Sequence, residues 1–378
     1  MEAYITDLAS FLPNAPVTNQ QMESILGLVG DLPSRTRRII LRNNRIETRH
    51  YAIDPQTLQP THNNAELTAE AVRRLTAYRP AHINCLCCGT SSPDQLMPGH
   101  ASMVHGELAG GPCEVITTTG ICISGVAALK QACMQVALGE SPSAIATGSE
   151  LASTFMRASL CGQVSAQRAE QLQQQPALSF DADFLRWMLS DGAGAAFIAP
   201  KPATEGLSLK VEWIDQLSSA HLLEPCMYAG AIKEQGKLRG WREFDSIEEA
   251  VENHAFLIKQ DVKLLNEEII PTAVDRTLLP IAERRQLSAE SIDWFLPHYS
   301  SDYFRDRLYQ RMKEKGFHIP YERWFTNLTS KGNTGAASIY IILEELFHSG
   351  QLEKGQRLLC FIPESGRFST CYMLLTVC

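Results

Sequence analysis

The chain has 378 residues, 44% hydrophobic and 20% charged, with 24 glycines and 19 prolines, which excludes a disordered, collagenous or low-complexity protein. That length accommodates two domains or one large α/β unit, and a formal charge of −8 argues against a wholesale nucleic-acid binder. The 11 cysteines are scattered and too sparse for a disulfide scaffold, so most read as small core residues in a reducing compartment.

In chain order, MEAYITDLASFLP places Glu2 and Asp7 where a secretory signal needs positive charge and then an apolar run. No stretch reaches the ~18 uninterrupted apolar residues of a membrane helix. Lys130 breaks SGVAALKQA, and Glu344 and Glu345 break SIYIILEEL, so a soluble, cytoplasmic protein is expected. Between Arg35 and Arg49 runs an arginine-rich segment, SRTRRIILRNNRIETR, against the acidic balance of the whole. In Cys85-Leu86-Cys87-Cys88, strand alternation puts Cys85 and Cys87 on one face. No second pair or neighbouring histidine follows, so zinc is not expected and no metal is assigned.

A strand at Val115-Ile116 leads through TTTGICISG into the helix VAALKQACMQVALG. Val126, Leu129, Cys133 and Val136 share one face of it, and Gly139 ends it. Ala144 to Thr147 is the next strand, and the Gln-rich stretch at 160–178 reads as an inserted, exposed helix. SDGAGAAFIAP closes the first half with a glycine turn and a strand; KPATEGLSLK is a connector, which puts a seam near 200–208. Ile247 to Leu279 reads as long helical structure before a strand from Asp293 to Leu296. A strand from Trp324 to Leu328 then leads through TSKGNTGAAS into IYIILEELFHSG, where Ile339, Ile342 and Leu346 repeat the helical face and Gly350 stops it. A strand from Arg357 to Ile362 follows. Strand–turn–helix–strand in both halves implies parallel pairing and an α/β architecture.

Three residues carry the chemistry. Cys122 sits where a strand ends and a helix begins, and there unpaired N–H groups and the helix dipole favour a thiolate nucleophile. Like most of the other ten cysteines it could equally be a core residue. His298 directly follows a strand in WFLPHYS, the position at which α/β proteins build sites, and none of His50, His100, His105 or His254 follows so clean a strand. Asn333 in KGNTGAAS is an ordinary turn residue taken alone, and a hydrogen-bond donor when grouped with the other two. Cys, His and Asn in that order admit a papain-like hydrolase, but TTGICISG lacks the aromatic and Gln-rich surroundings of that family's cysteine. They also admit a condensing enzyme built of two similar halves.

The second reading fits motif by motif. SIDWFLPHYSS, TSKGNTGAASIYIILEEL, SDGAGAAFI, TTTGICISGVAAL and RIETRHYA, in colinear order, resemble the histidine, asparagine, glycine-turn, nucleophile and N-terminal signatures of the ketosynthase III group. This is the β-ketoacyl-acyl-carrier-protein synthase III family of the thiolase superfamily. The resemblance implies a five-layer αβαβα thiolase-like fold of two related halves, residues 1–205 with the cysteine and 206–378 with the histidine and asparagine. It implies a homodimer without nucleic-acid partners. It also implies a Claisen condensation in which Cys122 carries the acyl group and His298 and Asn333 hold the carbonyl of a malonyl- or β-ketoacyl-carrier thioester. The oxyanion would be held by the N–H of Cys122 and one from Gly366 or Arg367. Met97 in DQLMPG would cross the dimer to the partner's acyl pocket. Arg35, Arg37, Arg38, Arg42, Arg45 and Arg49 would dock an acidic acyl carrier protein. No cofactor is implied: the phosphopantetheine or coenzyme A thioester is substrate.

The chain departs from the family at PESGRF, where a Gly-rich turn is replaced, and near Ile39, where an aliphatic residue replaces a tryptophan that stacks on coenzyme A. The insert at 160–178 is a third departure. Together these imply a specialised member, of dialkylresorcinol or aryl-polyene type. An acyltransferase on the same scaffold and a non-catalytic partner subunit are the alternatives.

Overall fold

A computed structural model describes residues 2–28, 33–34, 36–80, 83–161 and 184–378. The inserted helix expected at 160–178 lies outside them from residue 162 onward, and so does Arg35. Among the described residues no helix is long and apolar enough to cross a membrane.

The main sheet is made of β1 (Tyr4–Phe11), β2 (Cys85–Thr90), β3 (Glu114–Thr119), β4 (Ala144–Glu150), β5 (Gly192–Ala199), β6 (Leu209–Ser218), β7 (Trp294–Pro297), β8 (Arg357–Pro363) and β9 (Ser369–Val377). Their order is β7-β8-β9-β6-β1-β5-β4-β2-β3. From β1 outward the pairs run antiparallel to β5, antiparallel to β4 and parallel to β2; from β6 outward they run antiparallel to β9, antiparallel to β8 and parallel to β7. The two flanks therefore repeat one pattern, and they meet at the short β1–β6 pairing.

The repeat is incomplete at one place. β3 pairs with β2 over six residues, but its counterpart, the strand expected at Trp324–Leu328, is reduced to one parallel bridge between Phe295 and Trp324. Trp324 is anchored sideways: its indole N–H donates to the Ile319 carbonyl at 2.9 Å, and its ring meets Phe295 edge-on. Two residues after Phe325, the Asn327 carbonyl already accepts from the N–H of Ser330 and Lys331, which starts a helical turn.

Helices α1 (Asn64–Arg73), α2 (His100–Leu108), α3 (Ile123–Leu138), α4 (Val262–Pro271), α5 (Arg305–Glu314) and α6 (Ser338–His348) fill the layers. α3 packs on β2, β3 and β4 and also touches β8 and β9, while α6 packs on β1 and β5 and touches β7. These two form the middle layer. α1 and α2 cover the outer face of the first flank, and a cluster including Val274, Leu278, Leu308 and Met312 covers the second, which completes five layers. The expected face of α3, Val126, Leu129, Cys133 and Val136, is buried, and Gly139 ends the helix at φ +79°.

Ile247–Leu279 is not one helical run. A short helix ends at Glu252, and Lys259–Gln260 pair with Met227–Tyr228. Asp261, whose carboxylate accepts the Leu264 N–H, then restarts the helix. The extended break lets the Gln260 amide reach the Cys226 carbonyl at 3.3 Å, a contact between distant segments that local periodicity does not encode.

Candidate active site

Cys122 is the N-cap of α3, reached from β3 through Gly120, whose φ of +151° turns the chain. The turn is fixed by Ser124, whose hydroxyl donates to the Ile121 carbonyl at 2.8 Å, and by Thr118, whose hydroxyl donates to the Ser124 carbonyl at 2.8 Å. The thiol is 9% exposed and not in a disulfide. Burial, and then the carboxylates of Glu150 and Glu364, push it well above its ordinary value; its own N–H opposes them weakly. This runs against the expectation of a thiolate held by the helix start: in the resting structure desolvation and the two carboxylates favour the thiol.

His298 follows β7, and its N–H donates to Phe361 of β8 at 2.8 Å. The ring is buried, and burial lowers it to about 4, so the imidazole is neutral at pH 7. Neither ring nitrogen has a hydrogen-bond partner among the described residues. Three of the competing histidines differ in this. His50 is bonded to the Pro13 carbonyl at 3.1 Å, His100 to Ser149 at 3.1 Å and His105 to the Gly111 carbonyl at 2.9 Å. A neutral imidazole and a thiol whose burial disfavours ionisation are not the ion pair of a papain-like hydrolase; this imidazole is suited to donating a hydrogen bond to a carbonyl oxygen.

Asn333 is locked by its backbone. Its N–H donates to Met188 at 3.0 Å and its carbonyl accepts from Ser190 at 2.8 Å. Its side-chain oxygen accepts the Gly335 N–H at 3.0 Å. The turn thus consumes the acceptor and leaves the amide –NH2 as a donor without a partner among the described residues.

Close packing of main chain brings the Cys122 and Asn333 turns together. Gly125, one turn past Cys122, lies so near the Ala336 carbonyl oxygen that a Cβ on it would overlap that atom, and a Cβ on Gly148 would overlap it too. Tyr340 donates to the Gly125 carbonyl at 2.8 Å. The turn after β8 meets the residue before the cysteine: a Cβ on Gly366 would lie 2.6 Å from Ile121 Cδ1. Leu296 and Ile362, flanking His298 on β7 and β8, share one buried cluster with Cys122 and Ile123.

Comparison with known proteins agrees with this fold. Residues 63–203 match the β-ketoacyl synthase N-terminal domain, and residues 282–366 match the C-terminal domain of 3-oxoacyl-[acyl-carrier-protein] synthase III. The β-ketoacyl-[acyl-carrier-protein] synthase III of Chlorobaculum tepidum is 25% identical over 364 residues, covering 95% of this chain and 94% of that one. The chain belongs to the ketosynthase III-like condensing enzymes of the thiolase superfamily. The synthase III of Xanthomonas oryzae is 24% identical over 94% of this chain and 92% of its own. In fold, the chain is similar to AbyA1, a tetronic acid condensing enzyme, with a TM-score of 0.75 at 18% identity and 99% of each chain covered. It is also similar to Xanthomonas campestris OleA solved with lauric acid and lauroyl-CoA, with a TM-score of 0.71 at 18% identity, covering 100% of this chain and 99% of that one.

The other expected residues of this ketosynthase III-like chain fare unequally. Gly366 lies against Ile121, the residue before Cys122, but the N–H groups of Gly366 and Arg367 are not open to an oxyanion, because both donate to the carboxylate of Glu364. Arg49 is wholly buried, bonded to Asn19 and to the Trp187 carbonyl, and burial lowers its basicity. Arg37 pairs inward with Glu23 and faces the Trp187 ring at 5.7 Å. Neither is free to dock a carrier: an arginine next to apolar sequence is as readily a core staple as a surface charge. Arg38 and Arg42 are exposed without an ion-pair partner among the described residues, and Arg45 is exposed and pairs with Asp302 at 3.2 Å, in the loop after His298. Met97 is 83% exposed in this single chain, in the turn that leads to α2.

Two residues escape a reading of the sequence. Glu150 ends β4, is buried, and accepts from the hydroxyls of Ser91 and Ser92 and from the Ala336 N–H at 3.3 Å, tying the first flank to the Asn333 turn. Burial raises its carboxyl. Glu364 is the second. A carboxylate closing an apolar strand is the one available signal for each, in ATGSE and in FIPE.

Proposed function

We propose that the protein forms a carbon–carbon bond by Claisen condensation between a Cys122-bound acyl group and a carrier-bound thioester. Cys122 sulfur attacks the first thioester, the carrier thiol leaves with the proton, and an acyl-enzyme remains. The second thioester places its carbonyl oxygen between His298 and Asn333. Both present donors, and the charge of an enolate there is stabilised by each, a contribution of about 3 kcal/mol per donor in sites of this kind. With a malonyl unit, carbon dioxide leaves as the enolate forms; the enolate carbon then attacks the acyl carbonyl and the cysteine departs as a thiolate that takes up a proton from water. The observation that carries this reading is the unused –NH2 of Asn333 at a turn packed against the Cys122 turn, together with a neutral His298 that has no partner among the described residues.

The scheme needs no cofactor, since the phosphopantetheine or coenzyme A thioester is consumed as substrate. Arg38, Arg42 and Arg45 are the cations suited to an acidic carrier protein. β3 is an edge strand with a half-exposed face, which suits pairing with a second copy in a homodimer, where Met97 would find cover. The departures at PESGRF and Ile39 favour a specialised cytoplasmic pathway of dialkylresorcinol or aryl-polyene type. The test is incubation with acyl and malonyl or β-ketoacyl carriers. An acyl mass on the Cys122 peptide and a product with a new carbon–carbon bond are expected. An ester or amide product would identify an acyltransferase, and activity surviving Cys122→Ala would overturn the nucleophile.

A further inference from the structure

The turn from Glu364 to Phe368 joins β8 to β9 and leans on Ile121, the neighbour of Cys122. Its N–H groups converge as a nest for an anion, and the chain fills the nest itself. Glu364 accepts from the N–H of Gly366, of Arg367 at 3.4 Å and of Ser369 at 2.8 Å. The turn is braced from behind: the Cys226 N–H donates to the Gly366 carbonyl at 2.7 Å, and the Ser365 hydroxyl donates to Gln260 Oε1 at 3.1 Å. The Arg367 guanidinium is drawn away to the Leu223 carbonyl at 3.1 Å, so the turn's own cation does not cover the carboxylate.

The charged groups acting on the Cys122 thiol are few. Glu150 acts from the end of β4 and Glu364 from this turn, and His298 at the end of β7 is neutral. The Glu364 carboxylate also raises the thiol of Cys226, across the turn from Ile121, after burial and Asp261.

We infer that Glu364 is a positioning residue that plugs the backbone nest leaning on Ile121, so that the Gly366 and Arg367 N–H groups reach a thioester oxygen only after the carboxylate lets go. The inference rests on the proposed role of Cys122 as nucleophile. It accounts for the replacement of a Gly-rich turn by Pro-Glu-Ser-Gly-Arg-Phe: the glutamate supplies an internal anion in the place of the reacting one. A thiol under the charge of that anion is slow toward stray electrophiles until a substrate is seated.

The test reads the thiol without using a substrate. The full chain is alkylated with iodoacetamide from about pH 6 to about pH 10, spanning the ~8.5 of an ordinary thiol, and the Cys122 peptide is followed by mass. The wild-type midpoint is expected above ~8.5. Glu364→Gln keeps a side-chain oxygen for the turn but removes the charge. It is expected to lower the midpoint and to speed alkylation near pH 8 by about threefold or more, since lowering the midpoint by a full pH value gives about tenfold more thiolate below it. An unchanged or higher midpoint in Glu364→Gln overturns the inference. If that variant fails to fold, the wild-type chain decides alone: a midpoint at or below ~8.5 overturns it. If thioesters fail to acylate Cys122 while the change in alkylation midpoint is seen, the condensation reading fails and the plug stands.

Discussion

Gly125→Ala is a sharp test of how the two flanks are joined. Alanine in place of glycine inside a helix ordinarily stabilises by about 1 kcal/mol. At Gly125 the new Cβ would overlap the Ala336 carbonyl oxygen far inside 3.0 Å, and would lie 3.1 Å from the Ala336 carbonyl carbon and 3.2 Å from Gly148 Cα. All three atoms are main chain, so relief requires moving the Gly335–Ala337 turn or α3 itself. Moving the turn draws the Ala336 N–H off Glu150, and moving the helix draws the Gly125 carbonyl off Tyr340. Overpacking of a tight core costs about 1–3 kcal/mol and a lost buried hydrogen bond about 1 more. Against the propensity gain, a net loss of about 2 kcal/mol is expected. Urea unfolding followed by tryptophan fluorescence measures it, and the condensation rate should fall as the Asn333 turn is displaced. Because Gly148 meets the same carbonyl oxygen, the Gly125→Ala/Gly148→Ala pair should lose less than the sum of the single variants. A Gly125→Ala protein as stable as wild type would refute the proposed junction.

His298→Ala and Asn333→Ala should each lower carbon–carbon bond formation by on the order of a hundredfold while leaving acylation of Cys122 by the first thioester largely intact, read by intact-protein mass in single turnover. Acid should destabilise the fold through His298 and His100, which burial holds at about 4. Unfolded imidazoles take up protons below ~6.5, so stability is level above that value and falls as the pH drops toward about 4, by up to about 3 kcal/mol for each ring. Urea midpoints across this range, with His298→Asn losing less than wild type, check the sign. Arg38→Glu with Arg42→Glu should raise KM for a carrier-bound substrate and flatten its salt dependence with kcat unchanged, whereas Arg49→Glu should fail in stability before it affects docking.

Much of the fold is written locally. Val126, Leu129, Cys133 and Val136 announce α3, Gly139 marks its end, and the small residues around Cys122 and Asn333 mark turns that the structure places against one another. His298 is recognisable from the strand before it. What is not legible depends on groups distant in sequence. The protonated state of Cys122 comes from burial and from Glu150 and Glu364, which lie 28 and 242 residues further along the chain. The occupied nest of Gly366 and Arg367 cannot be read from PESGRF, because a glutamate there looks like any surface charge until its carboxylate is seen folded back. Arg37 and Arg49 read as docking charges because nothing local distinguishes an arginine facing Trp187 from one facing water. Trp324 has strand composition, yet its indole anchor and the turn begun at Asn327 end the pairing after one bridge.

The central claim is that acyl-Cys122 is joined to a second thioester through carbon. Supplying a first acyl donor labelled with carbon-13 at its carbonyl, together with an unlabelled malonyl or β-ketoacyl carrier, tests it most directly. Mass spectrometry should find the label first on the Cys122 peptide and then in a ketone carbon of a product that carries both chains. Label recovered only as ester, amide or free acid, or a labelled ketone formed equally by Cys122→Ala, would contradict the account.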